Sequence, residues 1–430
     1  MIGLFQPLRP GAFFISLLSQ LIGMKIIYNI GIFLYSLFAR ILSPFSRKAY
    51  LWTKGRTGWY TKLKEQVDPS AKYIWVHCAS LGEFEQGRPV IEAIKKVKPQ
   101  YKIVLTFFSP SGYEIRKNYK YADIVSYLPP DTRRNAKRFV ELIRPEKVIF
   151  VKYEFWHHFI SALYNKGISL ILISGIFRDN HFFFRWYGRF FRKILEKFTW
   201  FYVQDRESED ILARQGFTNV TVAGDSRFDR VMQIAREAKT IPEIELFSKG
   251  EKLLLIGSSW PKDEEIITKY INIHPGLMKW VFAPHEPDPA NIERLEKMLS
   301  VDSIRFSEFR EEYSDARVLI IDNVGMLSSA YRYAWMAVVG GGFGKGIHNI
   351  LEPACWGIPV IFGPRHDKFR EAVEMKTNGS GATFSNYREF EMIIDRFMNN
   401  NTLYKEACEN SLRYVKENAG ATKMIIEGLF

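Results

Sequence analysis

From residue 70 onward, short apolar runs alternate with amphipathic stretches. The runs 73–77 (YIWVH), 102–107 (KIVLTF), 124–128, 147–151 and 169–174 (SLILIS) have the length and composition of strands. The stretches 87–97, 112–117, 133–143 and 155–165 between them carry helical spacing. The rhythm restarts after Gly250, with strands expected over 253–256, 279–283, 318–321 and 337–340 and helices over 263–270, 290–299 and 326–334. Such alternation predicts an α/β protein with parallel sheets covered by helices on both faces. It gives two Rossmann-like domains, 46–240 and 241–430, with 239–250 (KTIPEIELFSKG) as the linker. Ligands in such sheets bind beyond the carboxyl ends of the strands, so a cleft between the two domains is the expected site. No repeat or low-complexity segment interrupts the pattern.

The first 45 residues follow a different rule. Two uncharged apolar runs, 11–23 and 26–39, flank Met24-Lys25. Each is shorter than the roughly 20 residues a bilayer span needs. Met24 is an alternative start, with 1–23 an extension. In either case a membrane-embedded or membrane-lying helix is expected. Seven Lys/Arg follow between Arg40 and Lys64 against Glu65 and Asp68, and basic residues beside an apolar helix mark the cytoplasmic side. A core helix with a solvated basic loop is the structural alternative.

The 430 residues carry a net charge of +13, which points to an anionic partner: nucleic acid, an acidic membrane or a phosphorylated substrate. The segment 182–197 (FFFRWYGRFFRKILEK) mixes aromatics with Arg and Lys. With no nucleic-acid-binding signature beside it, it reads as a membrane-facing surface or a packed helix. Cys78, Cys355 and Cys408 form neither a metal spacing nor a disulfide framework.

The densest chemistry lies in 338–364 (VVGGGFGKGIHNILEPACWGIPVIFGP). It predicts a strand, a glycine turn, a helix over 349–356 and a second strand. Glycines let backbone approach a ligand, and a helix start offers free N–H groups to a phosphate. Glu352 in the first turn is placed to accept from sugar hydroxyls. The spacing fits neither a Walker loop, since Ile347 stands where Lys is needed, nor G-x-G-x-x-G. His348 and Glu352 are spaced to pair on a helix face, but two residues do not make a metal site.

Two carboxylates follow strands of the first domain. Glu83 is expected at the tip of a strand-to-helix loop (HCASLGEFEQGR), where it reads equally as a general base or as the partner of Ser80 in a capping box. Glu154 (VKYEFW) follows a second strand, so two acids converge if those strands are neighbours. Arg227 (GDSRFD) is a cation for a phosphate or an ion-pair partner of Asp225 or Asp229. GSSW at 257–260, APHEPD at 283–288 and Gly325-Met326-Leu327 fall at strand ends or helix starts of the second domain.

In order and spacing, HCASLGEFEQGRPVI, VKYEFW, VAGDSRFD, GSSW, VGMLSSAY and the glycine segment resemble the 3-deoxy-D-manno-octulosonic acid (Kdo) transferases, from about Met24 to the C-terminus. The resemblance implies a GT-B fold whose last helix returns to the first domain. The first domain would bind the acceptor and the second CMP-Kdo. It implies inverting, metal-independent transfer of Kdo to the lipid A precursor, lipid IVA, at the cytoplasmic face of the inner membrane, with no cofactor and no nucleic acid. The absence of a D-x-D pattern agrees. Glu83 matches the family's base; Glu154 and Arg227 match transition-state positions. Pro284, His285, Gly325, Met326, Leu327, Asn349, Ile350, Leu351 and Glu352 match donor contacts, and Lys345 is placed to assist the phosphate. Three departures stand out: Pro284-His285-Glu286 for Pro-Arg-His, Arg227 for Lys, and Lys152 for an acid. Another GT-B transferase or epimerase, or a non-catalytic basic protein binding membrane or nucleic acid, are the alternative readings.

Overall fold

The computed structural model describes residues 10–185 and 188–430. In chain order the elements are α1 Pro10–Leu42, α2 Arg47–Arg56, α3 Trp59–Gln66, β1 Lys72–Cys78, α4 Leu81–Val97, β2 Tyr101–Phe107, α5 Pro110–Arg116, β3 Ile124–Tyr127, α6 Arg133–Ile143, β4 Pro145–Val151, α7 His157–Asn165, β5 Ser169–Gly175, α8 Arg189–Leu195, β6 Trp200–Val203, α9 Arg206–Arg214, β7 Val220–Val222 and α10 Ser226–Glu237. There follow α11 Pro242–Ser248, β8 Leu253–Ser259, α12 Pro261–Ile273, β9 Lys279–Pro284, α13 Pro289–Met298, β10 Ser303–Arg305, β11 Val318–Ile320, α14 Leu327–Ala330, β12 Met336–Val339, α15 Leu351–Ala354, β13 Val360–Phe362, α16 Arg370–Thr377, β14 Gly381–Thr383, α17 Tyr387–Asn399, α18 Asn401–Asn418 and α19 Ala421–Leu429. They form two compact units, Met1–Arg227 with Gly420–Phe430, and Phe228–Ala419.

The first unit holds a seven-stranded parallel sheet of order β3-β2-β1-β4-β5-β6-β7. Side chains alternate across it with period two. Trp75, Val104, Phe150 and Leu172 point to one face and pack with Phe139 of α6 and Phe159 of α7. Ile74, Val76, Ile103, Leu105 and Ile149 point to the other and pack with Phe84 and Ile91 of α4 and with Ile425 of α19. Both faces are covered, which is why these strands read as unbroken apolar runs. The C-terminal helix α19 thereby belongs to the first unit's core.

The second unit repeats the plan with order β10-β11-β9-β8-β12-β13-β14. Leu254, Ile256, Trp280 and Phe282 face α12 and α17, while Leu253, Leu255 and Val281 face α11. The expected linker 239–250 is therefore in large part a helix of this core, with Ile244 and Phe247 buried. Alternating apolar and acidic residues in PEIELFS had masked one buried stripe.

Two N-terminal expectations change. The runs 11–23 and 26–39 form one continuous helix, α1, because Lys25 on a helix surface does not break it. From Gly23 to Leu42 this helix is long and apolar enough to cross a membrane, yet Met24 and Tyr28 pack on the first unit's core. Tyr35 meets Trp52 and Phe108 edge-on or tilted. The remaining face, with Ile26, Ile27, Ile30, Phe33, Leu34, Leu37, Phe38 and Ile41, is exposed. Arg56, counted among the juxtamembrane cations, is buried: it donates to the carbonyls of Leu128 (2.8 Å), Trp52 (3.0 Å) and Phe108 (2.7 Å) and stacks on Trp52. Burial pushes its pKa down to about 9.

The aromatic segment 182–197 is largely core. Phe183, Phe190, Ile194 and Leu195 are buried, while Arg185, Arg189 and Lys193 stay exposed. Trp186 and Tyr187 lie outside the described residues.

Candidate functional site

In each sheet the strand order reverses at one point, and there the carboxyl ends of two neighbouring strands diverge to leave room for a ligand. In the first unit this point lies between β1 and β4, which pair in register Val76↔Ile149 and His77↔Phe150. Glu83 follows β1 and Glu154 follows β4. Helix α4 can close on these strand ends because residue 87 is glycine: a Cβ there would lie 3.0 Å from Val151 Cγ2 and 3.3 Å from Cys78 Sγ. Both carboxylates lie close enough to the buried Cys78 thiol to add to the upward shift that its burial imposes.

Glu83 lies in the first turn of α4, not at a loop tip. The capping box does not form. Ser80 occupies the N-cap position without binding a helix N–H; its hydroxyl donates to the Glu83 carboxylate instead. Glu83 is half-buried.

Glu154 is held by a relay that sequence inspection left unconnected. Its Oε2 accepts from Trp156 Nε1 (2.7 Å) and lies 3.0 Å from His77 Nε2. His77 is fully buried. Its Nδ1 lies 2.8 Å from Thr106 Oγ1, which in turn accepts from Trp75 Nε1 at 2.7 Å. His77 Nδ1 also lies 3.2 Å from the Thr106 carbonyl oxygen, and Trp156 Nε1 lies 3.1 Å from His77 Nε2, so both ring nitrogens have polar partners. Trp156 also packs on Phe108.

Arg227 is engaged with Asp225. Its Nε and Nη2 each lie 2.8 Å from Asp225 Oδ2, and its N–H donates to Oδ1 at 2.9 Å. The ion-pair alternative is the one realised here. Ser226 next to it donates to the carbonyl of Gln86 on α4, which ties this segment to the helix that carries Glu83.

In the second unit the order reverses between β8 and β12, and the glycine turn follows β12. A Cβ at Gly340 would lie 2.2 Å from the Ser258 carbonyl oxygen and 2.8 Å from Ser259 Cα, so only glycine lets β12 run out against the end of β8. Asp263, at the start of α12, pins the turn: its Oδ2 accepts from the N–H groups of Gly341 (3.1 Å) and Trp260 (3.0 Å). Burial pushes its pKa up to about 6.

The helix expected over 349–356 shrinks to the single turn of α15. The chain before it is a loop in which Asn349 Oδ1 accepts from Leu351 N at 3.2 Å, and Gly357 in the left-handed region follows. So short a helix has little dipole, and an anion here would rely on individual loop N–H groups and on Lys345. That side chain is exposed and makes no ion pair among the described residues.

Glu352 accepts from Ser328 Oγ (2.6 Å) and Asn349 Nδ2 (3.0 Å). Trp356 Nε1 donates to the Ser328 carbonyl at 3.0 Å. These bonds bring the Gly325, Met326, Leu327 turn beside Asn349, Ile350, Leu351 and Glu352. His348 pairs not with Glu352 but with Trp260, whose Nε1 donates to its Nε2 at 2.9 Å. His285 sits among them, 4.7 Å from the Trp260 ring and 4.3 Å from His348. Burial, and then His285, push His348 down to about 4, so it is neutral at pH 7. His285 N donates to the Ser259 carbonyl at 3.0 Å, fixing the Pro284-His285 corner on the end of β8. Trp260 and His348 are thus part of this cluster. In the sequence GSSW stands only as a strand end, because the partner of Trp260 lies 88 residues away.

Two units of this topology, each with its candidate residues at the reversal point of its own sheet, define the GT-B architecture of nucleotide-sugar enzymes. The UDP-GlcNAc 2-epimerase from Neisseria meningitidis bound to UDP-GlcNAc shares it, with a TM-score of 0.59 at 16% identity, over 83% of this chain and 99% of that one; that likeness concerns the fold alone. A family model for 3-deoxy-D-manno-octulosonic-acid transferase matches residues 53–230. The 3-deoxy-D-manno-octulosonic acid transferase of Aquifex aeolicus is 31% identical over 76% of this chain and 86% of its own length. That of Chlamydophila psittaci is 26% identical over 77% and 80%. The chain belongs to the Kdo transferase family and is a glycosyltransferase.

Proposed function

We propose that this protein transfers Kdo from CMP-Kdo to lipid IVA in lipopolysaccharide inner-core synthesis, at the cytoplasmic face of the inner membrane. The acceptor hydroxyl oxygen attacks the anomeric carbon of Kdo. The bond from that carbon to the phosphate oxygen breaks, CMP departs, and the acceptor proton passes to Glu83. Displacement from the opposite face inverts the centre. The observation that carries this reading is the Glu83 carboxylate: it starts α4 at the reversal point of the first sheet and is free of capping duty, oriented by the Ser80 hydroxyl. A base needs such a half-buried, oriented carboxylate.

In this reading Glu154 and Arg227 stabilise charge in the transition state. The donor is held by Pro284 and His285, by Gly325, Met326 and Leu327, and by Asn349, Ile350, Leu351 and Glu352, with Lys345 near the phosphate. The Glu352 carboxylate, already shared between Ser328 and Asn349, is placed to accept from ribose hydroxyls. One phosphate on the leaving group asks for less counter-charge than a diphosphate, which supports metal-independent transfer, as does the lack of a D-x-D pattern. The exposed apolar face of α1 and the net charge of +13 support docking on anionic lipid.

The test is direct. Purified protein incubated with CMP-Kdo and lipid IVA is expected to yield a Kdo-bearing lipid by mass spectrometry, also in the presence of EDTA. No Kdo-bearing product rejects the reading.

A further inference from the structure

Beside α1 runs a groove of 520 Å³ that belongs to none of the residues discussed above as catalytic or donor-binding. One wall is α1, with Lys25, Asn29, Phe33, Leu37 and Arg40; the other is the segment from Pro130 to Arg133 together with Asn135 and His158. The spacing 25-29-33-37-40 follows one helical stripe, next to the stripe that packs on the core. The volume is that of a small-molecule site.

Its charge is one-sided. Lys25, Arg40 and Arg133 are exposed and make no ion pair among the described residues. The acid in the lining, Asp131, is already occupied: it accepts from Tyr28 Oη at 2.5 Å and from the N–H groups of His158 and Phe159 at 2.9 Å each. It caps the first turn of α7, three of its four acceptor sites are taken there, and it forms no ion pair with these cations among the described residues. Lys25 lies one helical turn before Asn29, the partner of the His158 ring, and Arg133 lies two residues after Asp131, which accepts from His158 N, so both cations line the His158 part of the groove. Burial, then Lys25 and Arg133, push the His158 pKa down to about 4. His158 is therefore neutral at pH 7, and its Nε2 lies 2.7 Å from Asn29 Oδ1. Arg40 stands at the far end, about 22 Å along the helix.

The groove borders an apolar surface. Phe33 and Leu37 line it and also belong to the exposed face of α1, where Phe33 is 65% and Ile27 60% exposed. An occupant that fits both features is amphipathic, with an anionic polar head for the cations and acyl chains for the helix. The groove and Glu154 share one stretch of chain, since the lining residue His158 lies four residues after Glu154 on the same loop-to-helix segment.

We infer that the Lys25–Arg133 end of this groove binds a phosphate monoester on the sugar head of the acylated acceptor, with the acyl chains lying along Phe33, Leu37 and the exposed face of α1. This rests on the proposed acceptor class and assigns it a place. The full chain and its Lys25→Gln/Arg133→Gln double variant would be compared on phosphatidylcholine vesicles. The vesicles carry lipid IVA, dephosphorylated lipid IVA, or phosphatidylglycerol at equal charge. Binding is read by flotation without donor, and transfer by acceptor titration with donor.

The expected result is roughly tenfold weaker binding and a correspondingly higher KM for lipid IVA, with less than twofold change in binding to the dephosphorylated lipid or to phosphatidylglycerol. An equal loss on phosphatidylglycerol assigns the groove to bulk membrane charge and overturns the inference. So does an equal loss on the dephosphorylated acceptor, or no loss on lipid IVA. If the wild type transfers no Kdo at all, the transferase reading fails while flotation still tests the groove. Both substituted side chains are exposed, and an unchanged thermal midpoint verifies folding.

Discussion

In the proposed reaction the two units use one topology for two different tasks. At the reversal point of the first sheet stand side chains: Glu83 oriented by Ser80, and Glu154 oriented by His77 and Trp156. At the reversal point of the second, the backbone is drawn in, with Gly340 against Ser258 and Gly341 bonded to the Asp263 side chain, and the Trp260, His285 and His348 rings stack beside it. The difference is one of chemistry. Proton transfer needs an ionisable group held in one orientation, whereas a nucleotide needs backbone N–H groups and room. A parallel sheet that diverges at its carboxyl edge accommodates either, because the edge supplies only the space.

This contrast is sharpest in the variant expected to do most. Glu83→Ala is expected to lower the turnover by roughly 10²–10⁴-fold while calorimetric CMP binding stays within twofold of wild type. Equal loss of both would erase the division of labour between the units. Gly340→Ala is the mirror image. Its Cβ would meet the Ser258–Ser259 backbone, which cannot rotate away. A loss of about 1–3 kcal/mol in urea unfolding is expected, together with loss of CMP binding, whereas Gly344→Ala meets only an ordinary contact at 3.5 Å and is expected to change stability little.

His77→Phe removes the buried imidazole beside Glu154 and is expected to reduce turnover by roughly ten- to a hundredfold, with CMP affinity unchanged. A similar fall in Glu154→Gln, and no further fall in the double variant, would place both residues on one path.

The smallest expected effect is in pH dependence. Asp131 in the first unit and Asp263 in the second are both raised by burial to about 6. Each binds its proton more tightly folded than unfolded, so each lowers stability as pH rises from the ordinary carboxylate value near 4 through about 6. The urea midpoint of the wild type is expected to decline across that window. Asp263→Asn keeps an acceptor for Gly341 and is expected to flatten part of the decline; an unchanged slope would contradict the assignment.

Much of this was legible in the chain itself. Unbroken apolar runs marked the parallel strands, because strands covered on both faces leave no polar positions. The glycine cluster marked the turn after β12 for a related reason: close backbone approach excludes every other residue. Local breakers misled. Gly87 and Pro89 pushed the expected start of α4 to residue 87, although the helix begins at Leu81; Gly87 is there for contact with Val151 and Cys78, not to end a helix. The stretch 349–356 looked like a longer helix than the one turn that forms, since helix formers cannot report that Asn349 binds Leu351 and Glu352 instead.

Although β6, β7, β10 and β14 were not among the expected strands, what the sequence alone determined was therefore the alternation of strands and helices, their parallel pairing and the identity of the chemical groups. These depend on spacings of two to four residues and on motif order. Which groups meet was left to the tertiary structure: His77 with Glu154, Trp260 with His348, Tyr28 with Asp131. Those partners lie 77, 88 and 103 positions apart. Only strand order and the packing of helices on the sheet bring them within hydrogen-bonding distance, and neither is encoded in any local window of the chain.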